Sequence, residues 1–182
     1  LLEGCPIVTQ HSERPTTSKR AAAAPAPGRE RRSVGVSWRL LIACAPFGAR
    51  LGAAAAATAI ARGVQAGGLP EPDVCALPLP GQEDEDGKYV RRVLDELGFD
   101  ERMRHARAVI IGVERLEERT LAGSVAFEIA TRARQGGVPA YAVTAGNALD
   151  RFDARILDLQ IILQARSRAA LVAAGLELAG LV

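Results

Sequence analysis

Between Val109 and Ala130 the chain reads VIIGVERLEERTLAGSVAFEIA, and three of its residues have the types and spacing to do chemistry. Arg115 could hold an anion, and Glu117 could meet a metal ion or a hydroxyl. Thr120 stands where a helix would begin and offer free N–H groups to an anion. The stretch reads as a buried strand, a charged turn and a helix. In open α/β proteins the carboxyl end of a strand, where it passes into a helix, is where ligands bind. The same letters also describe a solvated loop of Glu114, Arg115, Glu117, Glu118 and Arg119, with Thr120 as an ordinary N-cap. A further cation, Arg50, follows the first apolar run and has the same two readings, phosphate ligand or surface arginine. Glu83 to Asp86 could offer oxygen ligands to a hard cation. Four adjacent carboxylates without intervening turn residues rarely converge on one ion, so no metal site is assigned. His105 lies in a charged segment without a Ser or Cys partner pattern and reads as exposed.

The elements that must position these residues follow from periodicity. Arg39 to Cys44 is a short apolar strand, followed by a turn at Ala45-Pro46-Phe47-Gly48. Leu51 to Gln65 is an alanine-rich helix with Ala56, Ile60 and Val64 on one face, closed by Gly67-Gly68. Asp73 to Leu77 is a second strand and Pro78 to Gly87 an acidic loop. Lys88 to Leu97 is amphipathic, with Tyr89, Val90, Val93, Leu94 and Leu97 on one side. Ala106 to Gly112 is the third strand. A helix from Thr120 to Arg134 ends at Gly136-Gly137. Pro139 to Thr144 and Ile156 to Leu163 are further strands, and Ser167 to Ala179 a last helix. Strand and helix alternate, and the strands are continuously apolar, which suits a parallel sheet covered on both sides. The expected fold is α/β, a Rossmann-like doubly wound, mainly parallel sheet with helices on both faces.

At 182 residues the chain has room for one domain and a tail. Residues 1–36 mix Pro, Ser, Thr, Ala and Arg without a hydrophobic period and read as a disordered or extraneous tail, with Val34 or Val36 as an expected true start. Residues 37–182 read as the folded domain. Aromatics are 4% of the chain and the hydrophobic fraction is 48%, so the core must be built from Ala, Leu, Val and Ile. The tail holds six basic and three acidic residues, whereas residues 37–182 hold 17 and 18, so the folded part carries no footprint for nucleic acid. No apolar run reaches the length of a membrane span, and no signal-peptide pattern opens the chain. Cys5, Cys44 and Cys75 are odd in number and form no CxxC pair. Neither a zinc site nor a redox pair is indicated, and Cys44 and Cys75 read as small core residues, which fits a reducing, cytoplasmic setting.

Two segments resemble the type-1 glycerate kinases. Residues 109–130 follow that family's ITGEGRLDxQTxxGKxxxxVA. Gly112, Arg115, Leu116, Thr120 and Gly123 match, while Val113, Glu114, Glu117, Arg119 and Ser124 replace its Glu, Gly, Asp, Gln and Lys. The first βα unit is similar to IAPDSFKGSLSAxxxAxAIxxG. Ile42, Ala43, Phe47, Leu51 and the run Ala59-Ile60-Ala61-Arg62-Gly63 are kept, and Gly48 stands at the lysine position. The likeness covers residues 39–182 as two flanks joined across a deletion near 82–88, where the family carries an inserted second domain. The resemblance implies ATP-dependent phosphorylation of D-glycerate with Mg²⁺. It would place Glu117 as catalytic, and Arg50, Arg115, Thr120 and Gly123 as substrate- or phosphate-binding residues. The lost motif residues imply weak or impaired activity. The alternative is a non-catalytic binding or oligomerising module. A homodimer is expected over the apolar surface that the missing insert would leave.

Overall fold

A computed structural model describes residues 39–78, 87–117 and 123–182. The tail, the acidic loop and Thr120 therefore lie outside the described residues. Five strands form one sheet: β1 (Leu40–Cys44), β2 (Asp73–Ala76), β3 (Ala108–Leu116), β4 (Ala140–Asn147) and β5 (Leu159–Gln164). Their order is β2-β1-β3-β4-β5, and every pairing is parallel. β1 lies directly beside β3, from Leu40 opposite Ala108 to Cys44 opposite Gly112. The two sequence flanks thus share one sheet. Chain direction across the sheet reverses between β1 and β3, the place where such sheets open a crevice.

Alternation along the strands sends side chains to two cores. Leu40, Ile42 and Ile110 face α1 (Ala53–Ala66) and α6 (Arg168–Ala179). Leu41, Val109 and Ile111 face α2 (Lys88–Glu96), α3 (Phe99–Arg104) and α4 (Val125–Gln135). On the first face the helix backbones nearly touch. A methyl group at Gly63 would collide with the carbonyl of Val172, and one at Gly175 with that of Ile60. Alanine-rich α1 and α6 can therefore pack as a close pair with little bulk between them.

The second face adds ion pairs. Arg91 Nη1 lies 2.6 Å from Glu128 Oε1. Arg132 Nη1 lies 2.8 Å from Asp95 Oδ1 and 3.1 Å from Asp100 Oδ1. Arg102 donates to both carboxylate oxygens of Asp73 and to the carbonyl of Val74. It therefore also covers part of the exposed edge of β2, where an open carbonyl would invite another strand. The Arg102 hydrogen bond holds the Asp73 carboxyl below its ordinary value, against the opposing effect of burial.

Several element boundaries differ from expectation, each for a visible reason. β3 does not stop at Gly112 but runs on through Glu114 and Arg115. Arg115 pairs with Gly146 and Leu116 with Asn147, and Leu116 is fully buried. Glu114 and Arg115, the first residues of the expected charged turn, are strand. α4 begins at Val125, where Ser124 accepts a hydrogen bond from Phe127 N–H, rather than at Thr120. The fifth strand starts at Leu159. Ile156 instead ends α5 (Arg151–Ile156), which Asp150 nucleates by accepting from the N–H groups of Phe152 and Asp153. Gly98, at φ 60°, separates α3 from α2. Cys44 and Cys75 are buried and free, as expected of core residues. Burial, with a smaller contribution from Cys75, pushes the Cys44 thiol up to about 12. His105 is exposed, with 74% of its side chain accessible.

Candidate functional site

β3 and β4 are longer than their neighbours. β1 ends at Cys44, opposite Gly112, and β5 ends at Gln164, opposite Thr144. The last residues of β3 and β4 therefore stand above the sheet as a two-stranded ribbon. Buried Thr144 secures its base. Its Oγ1 lies 3.0 Å from the Glu114 carbonyl and 2.9 Å from the Gly146 carbonyl, and accepts from Gly146 N–H. The backbone that carries Glu114 is thereby fixed by a side chain that sees no solvent.

Two hollows flank this ribbon at the carboxyl edge. One, of about 500 Å³, lies between the β1–α1 loop and the start of α6, with Gly48, Arg50, Ser167 and Arg168 in its wall. The other, of about 420 Å³, has Arg115, Glu117, Asn147 and Gln164 in its wall. Glu114, Ala145 and Arg166 belong to both. The hollows therefore meet along a boundary made of one acid and one base. Arg166 is oriented there by its Nε–H, which donates to the Ala145 carbonyl at 3.1 Å.

The first hollow is bounded by the start of α6 and by the loop that leads into α1. α6 is capped by Ser167, whose Oγ accepts from Ala170 N–H at 3.1 Å. α1 begins after Gly52 and has no side-chain cap, so its first N–H groups remain available to solvent or an anion. The loop before it is closed by Phe47 N–H on the Leu51 carbonyl at 2.8 Å. Gly48 takes φ +69° in that loop. A Cβ at Gly48 would stand 2.8 Å from Glu114 Oε1. The Glu114 carboxylate thus lies against the loop backbone, in space that a side chain at position 48 would otherwise need.

Of the residues singled out in the sequence, Arg50 reaches the first hollow, and Arg115 and half-buried Glu117 the second. Glu114 and Arg166 bring the two groups to one groove. Gly123 lines neither. It packs against Gly87, where a Cβ would come within 2.6 Å of the Gly123 Cα, at the junction of α2 and the start of α4. Thr120 falls outside the described residues. Arg166, Ser167 and Arg168 were not anticipated. The strand-to-helix rule applied to the first and third strands holds equally at the fifth, and would have found them. Among the described residues no group of three or more His, Cys, Asp or Glu is placed to hold a metal ion, and no helix is long and apolar enough to cross a membrane.

A parallel sheet of this order, with cations gathered at the carboxyl ends of its strands and beside its topological switch, defines a doubly wound α/β domain built around an edge groove. Residues 87–172, from the start of α2 into α6, are similar to the glycerate kinase family. No curated protein matches the chain.

Proposed function

We propose that this chain is a glycerate-kinase-type domain whose edge groove binds a small phosphate- or carboxylate-bearing anion, and whose ATP-dependent phosphorylation of D-glycerate is weak or impaired. The observation that carries this reading is the set of arginines around one groove. Arg50, Arg115, Arg166 and Arg168 line it, and none makes an ion pair with a described residue. Guanidinium groups left unpaired at the end of a parallel sheet are suited to forked hydrogen bonding with an oxyanion.

Phosphoryl transfer is mainly positioning and charge stabilisation. In this reading the arginines hold the anion and Glu117 orients the hydroxyl. The resemblance also implies Mg²⁺ and ATP. A triphosphate laid along the groove would meet the Glu114 carboxylate, and the lysine position of the first turn is Gly48. The residues present therefore do not fit that chain of phosphates. Each lost charge contact costs on the order of 2–4 kcal/mol of transition-state stabilisation. Glu114 and Gly48 together favour a second reading, a module that binds an anion without turning it over. The part of the family's substrate cleft that an inserted domain would form belongs to this proposal too, as a deletion near residues 82–88.

The test is ADP release by the full chain with D-glycerate, ATP and Mg²⁺. Turnover above that of Glu117→Gln supports residual kinase activity. Absence of turnover together with a thermal shift from inorganic phosphate supports the non-catalytic module. Absence of both would contradict the anion groove itself.

A further inference from the structure

The boundary between the two hollows carries information that the arginines alone do not. Four cations surround the groove, yet its midpoint is an acid. Glu114 belongs to both walls and makes no side-chain ion pair with a described residue. Its position is also built rather than incidental. Its backbone carbonyl faces the buried Thr144 hydroxyl. Its carboxylate rests against the Gly48 backbone, at a φ that side-chain-bearing residues rarely adopt. An exposed glutamate that merely solvates itself needs neither arrangement.

A single oxyanion group can sit on either side of this boundary, within reach of Arg166 and away from the carboxylate. A chain of two or three phosphates cannot lie across both hollows without bringing negative oxygens beside Glu114. Like charges a few ångström apart are costly even with partial solvent screening. We infer that Glu114 is a specificity-determining residue that splits the edge groove, so that it accepts compact anions with one phosphate- or carboxylate-sized group and rejects polyphosphates. The inference rests on the anion-binding reading above and names the class of ligand for that site.

Two probes and three variants test it, using the full chain and calorimetric titration. The probes are inorganic phosphate and inorganic tripolyphosphate. The wild-type protein should bind phosphate and bind tripolyphosphate no more tightly, despite the latter's larger charge. Glu114→Ala should tighten tripolyphosphate binding on the order of tenfold or more while changing phosphate binding by less than about threefold. Glu114→Gln keeps the volume and removes the charge, so it should recover much of that gain. Arg166→Ala should weaken phosphate binding. Thermal unfolding of each variant checks that the fold is kept. Wild-type binding of tripolyphosphate much tighter than phosphate, or no gain in Glu114→Ala, overturns the inference. Phosphate binding that is absent, or indifferent to Arg166→Ala, overturns the anion groove and the inference with it. Phosphate binding that needs Arg166, with no effect at Glu114, overturns the inference alone.

Discussion

Arg91, Arg102 and Arg132 each reach a carboxylate on a neighbouring element, whereas Arg50, Arg115, Arg166 and Arg168 make no ion pair among the described residues. The first group sits in the layer of α2, α3 and α4, and the second around the carboxyl edge of the sheet. In a chain whose basic residues are nearly all arginine, residue type alone says nothing about role, and partnership does. A paired guanidinium joins elements. An unpaired one beside a groove leaves its donors for a ligand. The two groups should therefore respond oppositely to mutation: the first in stability, the second in binding.

The largest effect is expected where neither kind of arginine acts, on the glycine-packed face opposite the ion pairs. Gly175→Ala drives a methyl into the Ile60 carbonyl and should cost about 2–3 kcal/mol in urea unfolding. A neutral result would mean that α1 and α6 are not in backbone contact. Next, Arg91→Ala leaves Glu128, only 7% exposed, without its partner. It should cost about 2 kcal/mol. By contrast, Arg50→Ala, Arg166→Ala and Arg168→Ala should each change stability by less than about 0.5 kcal/mol, while weakening phosphate binding several-fold. Equal stability losses in the two groups would erase the distinction.

Smaller effects sharpen the same contrast. Asp73 is held below its ordinary carboxylate value of 3.8 by Arg102. Its contribution is therefore fully present above that value and is lost as the pH falls below it. The side chain is 41% exposed, so screening keeps the contribution to about 1 kcal/mol or less. Arg102→Ala should remove that acid-range dependence without affecting anion binding at neutral pH. Acid titration of unfolding in the two proteins checks this. Smallest of all, Cys44, with its thiol raised to about 12 and its side chain buried, should resist alkylation in the native protein and react only after unfolding. Fast native labelling of Cys44 would show that β1 is not the buried interior strand described.

Much of the sheet was legible because its strands are unbroken apolar runs. Leu40 to Cys44 and Val109 to Gly112 admit few readings besides buried parallel strands. Helix α6 was equally legible, expected from Ser167 to Ala179 and found at Arg168–Ala179 with Ser167 as its cap. The ribbon was not legible. Val113-Glu114-Arg115-Leu116 looks like a turn because charge usually marks one. Extension there depends on β4 continuing alongside, and on the Thr144 hydroxyl, both remote in sequence. The lining of the candidate groove was half legible for the same reason. Arg50 and Arg115 follow strands that the eye finds first, but Arg166 belongs to a junction placed two residues away from a helix start. Gly123, read as part of a phosphate loop, instead meets Gly87 across a helix junction. Spacing cannot distinguish a glycine kept for a ligand from one kept for a neighbouring backbone.

The central claim is that the arginines without an ion pair among the described residues surround one anion-binding edge groove, and amide chemical-shift mapping during a titration of the full chain with inorganic phosphate tests it most directly. The predicted result is saturable shifts clustered at Gly48 to Arg50, at Arg115 and at Arg166 to Arg168, with the α2, α3 and α4 arginines unmoved. Shifts centred on Arg91, Arg102 and Arg132, or no saturable shifts at millimolar phosphate, would contradict it.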